Sequence, residues 1–101
     1  IREKNPDLPV IMATKTDIPR SPAAEKSNAA HRAVVYETYE NAVKRGDRNV
    51  IFIDGATVFS KALTLSAPAD SCTVDGCHPN DLGFACMAKV FGDAIEKMLG
   101  L

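Results

Sequence analysis

The residues with the clearest capacity for chemistry lie together in TVDGCHPNDLGF, residues 73–84. Asp75, His78 and Pro79 share one tight turn that leads directly into a helical pattern. An ordinary imidazole titrates at about 6.5, so a histidine can take up and return a proton within one turnover near neutral pH. To act as a base it needs one ring nitrogen held as a donor, leaving the other free. A carboxylate three residues upstream on the same turn can reach that first nitrogen. Gly76 permits the sharp backbone path, and Pro79 fixes φ as the chain enters the helix. A plainer use of the same residues is local: Asp75 and His78 satisfy nearby backbone groups and only close the turn.

Three cysteines, Cys72, Cys77 and Cys86, fall within this region. An odd count argues against a complete disulfide framework, although Cys72 and Cys77 are near enough in sequence for one bridge across the turn. A zinc site would have to combine Cys72, Cys77, His78 and Cys86. The spacing lacks a CxxC pair and Cys86 falls inside a helical pattern, so small buried or loop cysteines are the preferred reading. No metal or cofactor is expected. Other polar candidates read as structural. His31 is a surface or packing histidine on a long helix, and Asp17 and Asp54 cap loops after apolar runs. Tyr36 and Tyr39 read as packing residues rather than substrate contacts.

Elements must hold that turn in place, and their pattern is readable. Ile1–Asn5 has the composition of a helix end and stops at Asn5-Pro6. Leu8–Thr14 (LPVIMAT) is a short apolar run that suits a strand covered on both faces, followed by a polar loop with two prolines. A helical pattern spans Ala23–Arg45, with Val35, Tyr39, Ala42 and Val43 on one stripe and Gly46 as its stop. Asn49–Asp54 (NVIFID) is a second apolar strand, Ala56–Leu65 holds a brief helical turn, and Ser66–Gly76 is a loop. Asn80 or Asp81 caps a final helix with the face Phe84, Ala88, Phe91, Ile95, Met98 and Leu99. This alternation is that of an α/β fold with a parallel sheet, which sets the Asp75–His78 turn near the carboxyl ends of the strands.

Size and charge bound the rest. At 101 residues one domain at most is expected, with 46% hydrophobic and 25% charged residues, as in a soluble globular domain. Twelve basic residues against thirteen acidic ones, interleaved along the chain, exclude the clustered positive surface that nucleic acid requires. No apolar run approaches the ~20 residues needed to span a bilayer. Two strands make a poor sheet alone, since both faces and both edges need cover. Residues 1–101 therefore read as the C-terminal fragment of one larger domain. Its exposed sheet should be covered by the missing N-terminal half or by self-association.

The string DGCHPNDLGF resembles the last block of the SGNH/GDSL-type esterases and acylhydrolases, which carry Asp-x-x-His-Pro just before a C-terminal helix. LPVIMATKTDIPR is similar to that family's segment where a helix ending in Asn-Pro feeds an apolar strand. The resemblance spans essentially the whole chain, with the D-x-x-H-P turn its specific part. It implies the C-terminal half of a flavodoxin-like three-layer α/β/α parallel-sheet domain, the SGNH hydrolase fold. It also implies hydrolysis of carboxylic esters, acetyl esters of carbohydrates among them, by a Ser-His-Asp triad.

In that triad His78 corresponds to the general base and Asp75 to the carboxylate that orients it. The family's Gly-Asp-Ser nucleophile block and its two oxyanion-hole blocks have no counterpart here. Ser21, Ser27, Ser60, Ser66 and Ser71 all lack the motif's context. Loss of the nucleophile alone costs on the order of 10⁶ in turnover in a serine hydrolase, so the fragment alone is expected to be inactive. The expected partner is a small-molecule or carbohydrate ester, and an extracellular or periplasmic location would suit a polysaccharide deacetylase. A rival reading is a non-catalytic α/β binding or interaction module that keeps the turn for folding alone.

Overall fold

The computed structural model describes residues 1–62 and 69–101. Strands β1 (Val10–Ala13) and β2 (Val50–Ile53) run parallel, in register from Val10 opposite Val50 to Ala13 opposite Ile53. Both are shorter than the apolar runs that contain them. Pro9 has no N–H to give, so the ladder opens at Val10, whose amide donates to the Asn49 carbonyl at 2.9 Å. Parallel neighbours need a long crossover, and helix α1 (Pro22–Lys44) supplies it. Ser21 caps α1 by accepting the Ala24 amide at 3.1 Å, Pro22 occupies the first turn where no N–H is missed, and Lys44 lies in the last turn. Before β1, the expected helix end is a single turn closed by the Asn5 amide on the Ile1 carbonyl at 2.9 Å.

Successive strand residues face opposite ways, and the two faces are covered by different helices. Phe52 points to α1, where its ring meets Tyr36 edge-on at 5.0 Å and Tyr39 at 5.9 Å, so both tyrosines are packing residues. Ile53 points the other way, into a cluster of Val58, Phe59, Cys72 and Cys86 with Ile18, Met87 and Val90 around it. That second layer is built from α2 (Val58–Ala62) and α3 (Asp81–Leu99). The architecture is α/β with a parallel sheet between helices. Residues 55–57 form a 3-10 turn ahead of α2, and a second 3-10 turn covers Ala69–Cys72 within the expected loop. The remainder of the expected Ala56–Leu65 helical turn, and Ser66 at the start of the loop, lie outside the described residues. Among the described residues no helix is long and apolar enough to cross a membrane.

Two helical faces differ from the periodicity. On α1, Ala42 is buried and Val35 and Tyr39 half-buried, but Val43 is 46% exposed. On α3 the inward row begins with Gly83, Cys86, Met87 and Val90; of the expected face Phe91 and Met98 are half-buried, whereas Phe84, Ile95 and Leu99 are 57%, 46% and 56% exposed. The cause is Gly83. A Cβ there would stand 2.2 Å from the Cys72 carbonyl oxygen, so the glycine lets the first turn of α3 press against that backbone. This close approach sets Gly83 and Cys86 on the inward side of α3.

Candidate acid-base site

The turn carrying Asp75 and His78 is closed at its base by backbone pairing. Thr73 and Pro79 form an antiparallel bridge, the Val74 amide donates to the His78 carbonyl at 3.0 Å, and the Asn80 amide to the Cys72 carbonyl at 3.0 Å. Asn80 then caps α3. Its Oδ1 accepts the Gly83 amide at 3.0 Å while its Nδ2 donates to the Ser71 carbonyl at 2.7 Å. At the tip, Gly76 adopts φ +87°, a left-handed conformation that side chains disfavour. Its amide donates to Thr73 Oγ1 at 2.9 Å, and its carbonyl accepts the Ile18 amide at 2.7 Å. That last bond fastens the turn to the loop following β1, at the carboxyl ends of the strands.

Within this frame Asp75 uses both oxygens. Oδ1 accepts the amides of His78 at 2.7 Å and Cys77 at 2.8 Å, and Oδ2 stands 2.6 Å from His78 Nδ1. The His78 amide, the His78 ring and the Cys77 amide, in that order of weight, hold the Asp75 carboxyl well below the usual carboxylate range. An ionised carboxylate only accepts, so Nδ1 is the donor of the 2.6 Å bond. Nε2 lies on the far side of the ring and is left to accept a proton. The His78 side chain is 76% exposed, so none of the described residues covers it. The geometry can therefore fix a tautomer and present a base.

Beside the turn lies a polar cluster centred on Asp17, which the sequence offers as a loop cap or a cleft residue and whose partners residue patterning did not single out. Asp17 is buried, accepting Asn28 Nδ2 at 2.8 Å on one oxygen and pairing Lys15 Nζ at 2.9 Å on the other. Asp17 foremost, with the Cys77 thiol also contributing, raises the Lys15 ammonium above its ordinary value. Asp17 thus ties the loop after β1 to α1. A cavity of about 270 Å³ opens between Lys15, Asp17, Arg20 and the Asp75–Cys77 backbone. A second of about 450 Å³ runs from Thr14 and Lys15 along α1 to Asn28, His31 and Arg32. His31 lies on α1, exposed and lining this second space, and does not join His78. Asp54 caps the 3-10 turn through the Ala56 amide at 3.0 Å and pairs with Arg32 at 3.2 Å. The signal for the cluster was present in TKTD directly after an apolar strand, but a loop carboxylate reads as a cap until its burial is known.

The cysteines sort differently from either sequence-level combination. Cys72 lies against Cys86, Sγ to Sγ at 3.9 Å, and all three thiols are free. Cys77 instead sits by Lys15, so the bridge across the turn from Cys72 to Cys77 is not formed. Among the described residues no group of three or more histidine, cysteine or acidic side chains is arranged to hold a metal. No serine hydroxyl hydrogen-bonds His78 among the described residues. Ser21 caps α1, and Ser60 donates to the Thr57 carbonyl at 3.0 Å.

Comparison with known proteins gives this geometry a context. A Bacteroides ovatus protein, provisionally described as a GDSL-like lipase, has a solved structure that superposes with a TM-score of 0.76 at 30% identity. The match covers 98% of this chain and 28% of that one, so the chain spans little more than a quarter of that relative's length. No curated protein matches. Residues 1–96 match the model of the GDSL-like lipase/acylhydrolase family, and the chain belongs to that family.

Proposed function

We propose that this chain supplies the general base and its orienting carboxylate to a serine hydrolase of carboxylic esters, with acetyl esters of carbohydrates as a fitting substrate class. One observation carries the reading: Asp75 holds His78 Nδ1 at 2.6 Å while two backbone amides hold Asp75. A carboxylate so anchored fixes the imidazole with Nε2 outward, the arrangement a hydroxyl nucleophile needs. His78 then takes the proton as a serine oxygen attacks the ester carbonyl, and returns it to the departing alcohol. A water deprotonated by the same nitrogen releases the acid. Asp75 stays ionised throughout and stabilises the transient imidazolium. The serine and the oxyanion donors come from outside this chain, which alone does not turn over.

Membership of the acylhydrolase family supports this reading, as does the exposure of the pair at the carboxyl ends of the strands, where α/β folds bind ligands. The test is hydrolysis of a short-chain aryl ester by the full-length protein and its His78→Ala variant. Removal of the base lowers kcat by about 10⁴–10⁶-fold. Equal rates would take His78 out of the reaction and favour the non-catalytic module.

A further inference from the structure

We propose that Cys72 and Cys86 are the two halves of a disulfide that forms as the chain folds, closing a covalent loop around the Asp75–His78 turn and leaving Cys77 free. The two Sγ atoms are 3.9 Å apart, and the residues Cys72 and Cys86 are 0% and 4% exposed, in the apolar cluster with Val58 and Phe59. A disulfide requires about 2.05 Å, so its closure turns both side chains about their Cα–Cβ bonds. Their backbones are already locked together. The Asn80 amide donates to the Cys72 carbonyl, and Gly83 admits that carbonyl against the first turn of α3. The link would join positions 14 apart in sequence and straddle the whole turn. Cys77 lies outside the cluster, beside Lys15.

The oxidant is a low-molecular-weight disulfide. One protein thiolate attacks it and expels a thiol, leaving a mixed disulfide. The second protein thiolate attacks the protein-side sulfur of that bond and expels the other thiol. Two electrons pass to the oxidant, whose two sulfurs leave carrying the two protons of Cys72 and Cys86. Burial, with the neighbouring Cys86 thiol, pushes Cys72 up to about 11. At neutral pH roughly 10⁻⁴ of such a thiol is ionised, so exchange in the folded protein is slow twice over, by protonation and by access. Oxidation therefore belongs to folding, before the cluster closes. This inference does not depend on ester hydrolysis.

The cysteines fall on three peptides after cleavage before Asp70, Asp75, Asp81 and Asp93, which makes the pairing directly readable. The full-length protein is unfolded, refolded with oxidised and reduced glutathione, blocked with N-ethylmaleimide and digested in this way for mass spectrometry. The expected product links peptide 70–74 to peptide 81–92 with loss of two hydrogens, and peptide 75–80 carries the maleimide on Cys77. The same glutathione mixture added to the native, reduced protein forms that link at least about 100-fold more slowly. Linkage of 70–74 to 75–80, or maleimide on all three peptides after oxidative refolding, would overturn the pairing. Equally fast linkage in the native protein would overturn its timing. Cys86→Ser should abolish the linked product, and if that variant does not fold, the wild-type map decides alone.

Discussion

At the amino ends of the strands Asp47 accepts the Asn49 amide at 3.0 Å on one oxygen and Arg2 Nε at 2.6 Å on the other. At the carboxyl ends Asp75 accepts two amides on one oxygen and His78 Nδ1 at 2.6 Å on the other. Asp47 thus holds one amide and two Arg2 nitrogens, Asp75 two amides and one ring nitrogen, and both carboxyls lie below the ordinary range, Asp47 chiefly through Arg2 and Asp75 chiefly through the His78 amide. What differs is the partner. Arginine is permanently charged and spends its other nitrogens on the Asn5, Leu8 and Asn49 carbonyls, stitching the entry turn to both strands. His78 gives one ring nitrogen to its carboxylate, and no described residue hydrogen-bonds the other. Exposure follows the same division, 31% and 15% for Arg2 and Asp47 against 76% and 48% for His78 and Asp75. A carboxylate gripping backbone amides is thus generic. What sets the two ends apart is what the carboxylate grips and whether that group faces the open.

The contrast breaks first at the partners. In the full-length protein His78→Ala is expected to remove about 10⁴–10⁶ of kcat toward an aryl ester with little change in folding, whereas Arg2→Met should leave kcat within a few-fold. An Arg2→Met loss as large as that of His78→Ala would mean that the two ends are coupled in the reaction. Next come the carboxylates. Asp75→Asn keeps the shape but offers an amide to Nδ1, which favours the wrong tautomer, and kcat should drop by about 10²–10⁴. Asp47→Asn should leave kcat unchanged and lower Tm by a few degrees at most. Steady-state kinetics and thermal melts on the four variants separate the two ends.

A third and smaller effect concerns what shapes the frame around His78. Gly83→Ala places a Cβ 2.2 Å from the Cys72 oxygen, so α3 must shift and the stem of the turn with it. A cost of about 1–3 kcal/mol is expected, more than alanine's better helix propensity returns. Gly92→Ala on the same helix meets nothing within 4 Å and should stabilise by about 0.5–1 kcal/mol. Denaturant unfolding of the two variants reads opposite signs. The same sign for both would show that Gly83 is not what seats the helix.

These residues also mark how far the chain could be read without coordinates. Both strands, the crossover helix and the Asn80 cap follow from apolar runs, prolines and cap residues that act within a few positions of themselves. Asp75 and His78 were legible for the same reason, because their contact spans three residues. The seating of α3 was not. Its apolar residues suggest the stripe Phe84–Ala88–Phe91–Ile95, whereas Gly83 and Cys86 face inward against Cys72, more than ten positions away. The bond from Ile18 to Gly76 and the pairing of Cys72 with Cys86 were hidden likewise, being contacts between segments whose separation along the chain carries no periodic signal.

Acid titration gives the finest comparison between the two ends. The carboxyls of Asp47 and Asp75 are both depressed in the folded chain, while in the unfolded chain each titrates near the ordinary value of about 3.9. A depressed folded value means that the unfolded state binds protons first. The stability each carboxylate contributes is therefore fully present above about pH 4 and is lost progressively as the pH falls below it. At Asp47 the lost partner is an arginine whose charge does not change over that range. At Asp75 the lost partners are the His78 ring and two backbone amides of the same turn. Tm measured from pH 5 down to pH 2 should fall less steeply in both Asp47→Asn and Asp75→Asn than in the wild type. Two mutant curves parallel to the wild type would show that neither carboxylate is paired in solution as it is here, and would remove the ground for treating Asp75 as the anchor of His78.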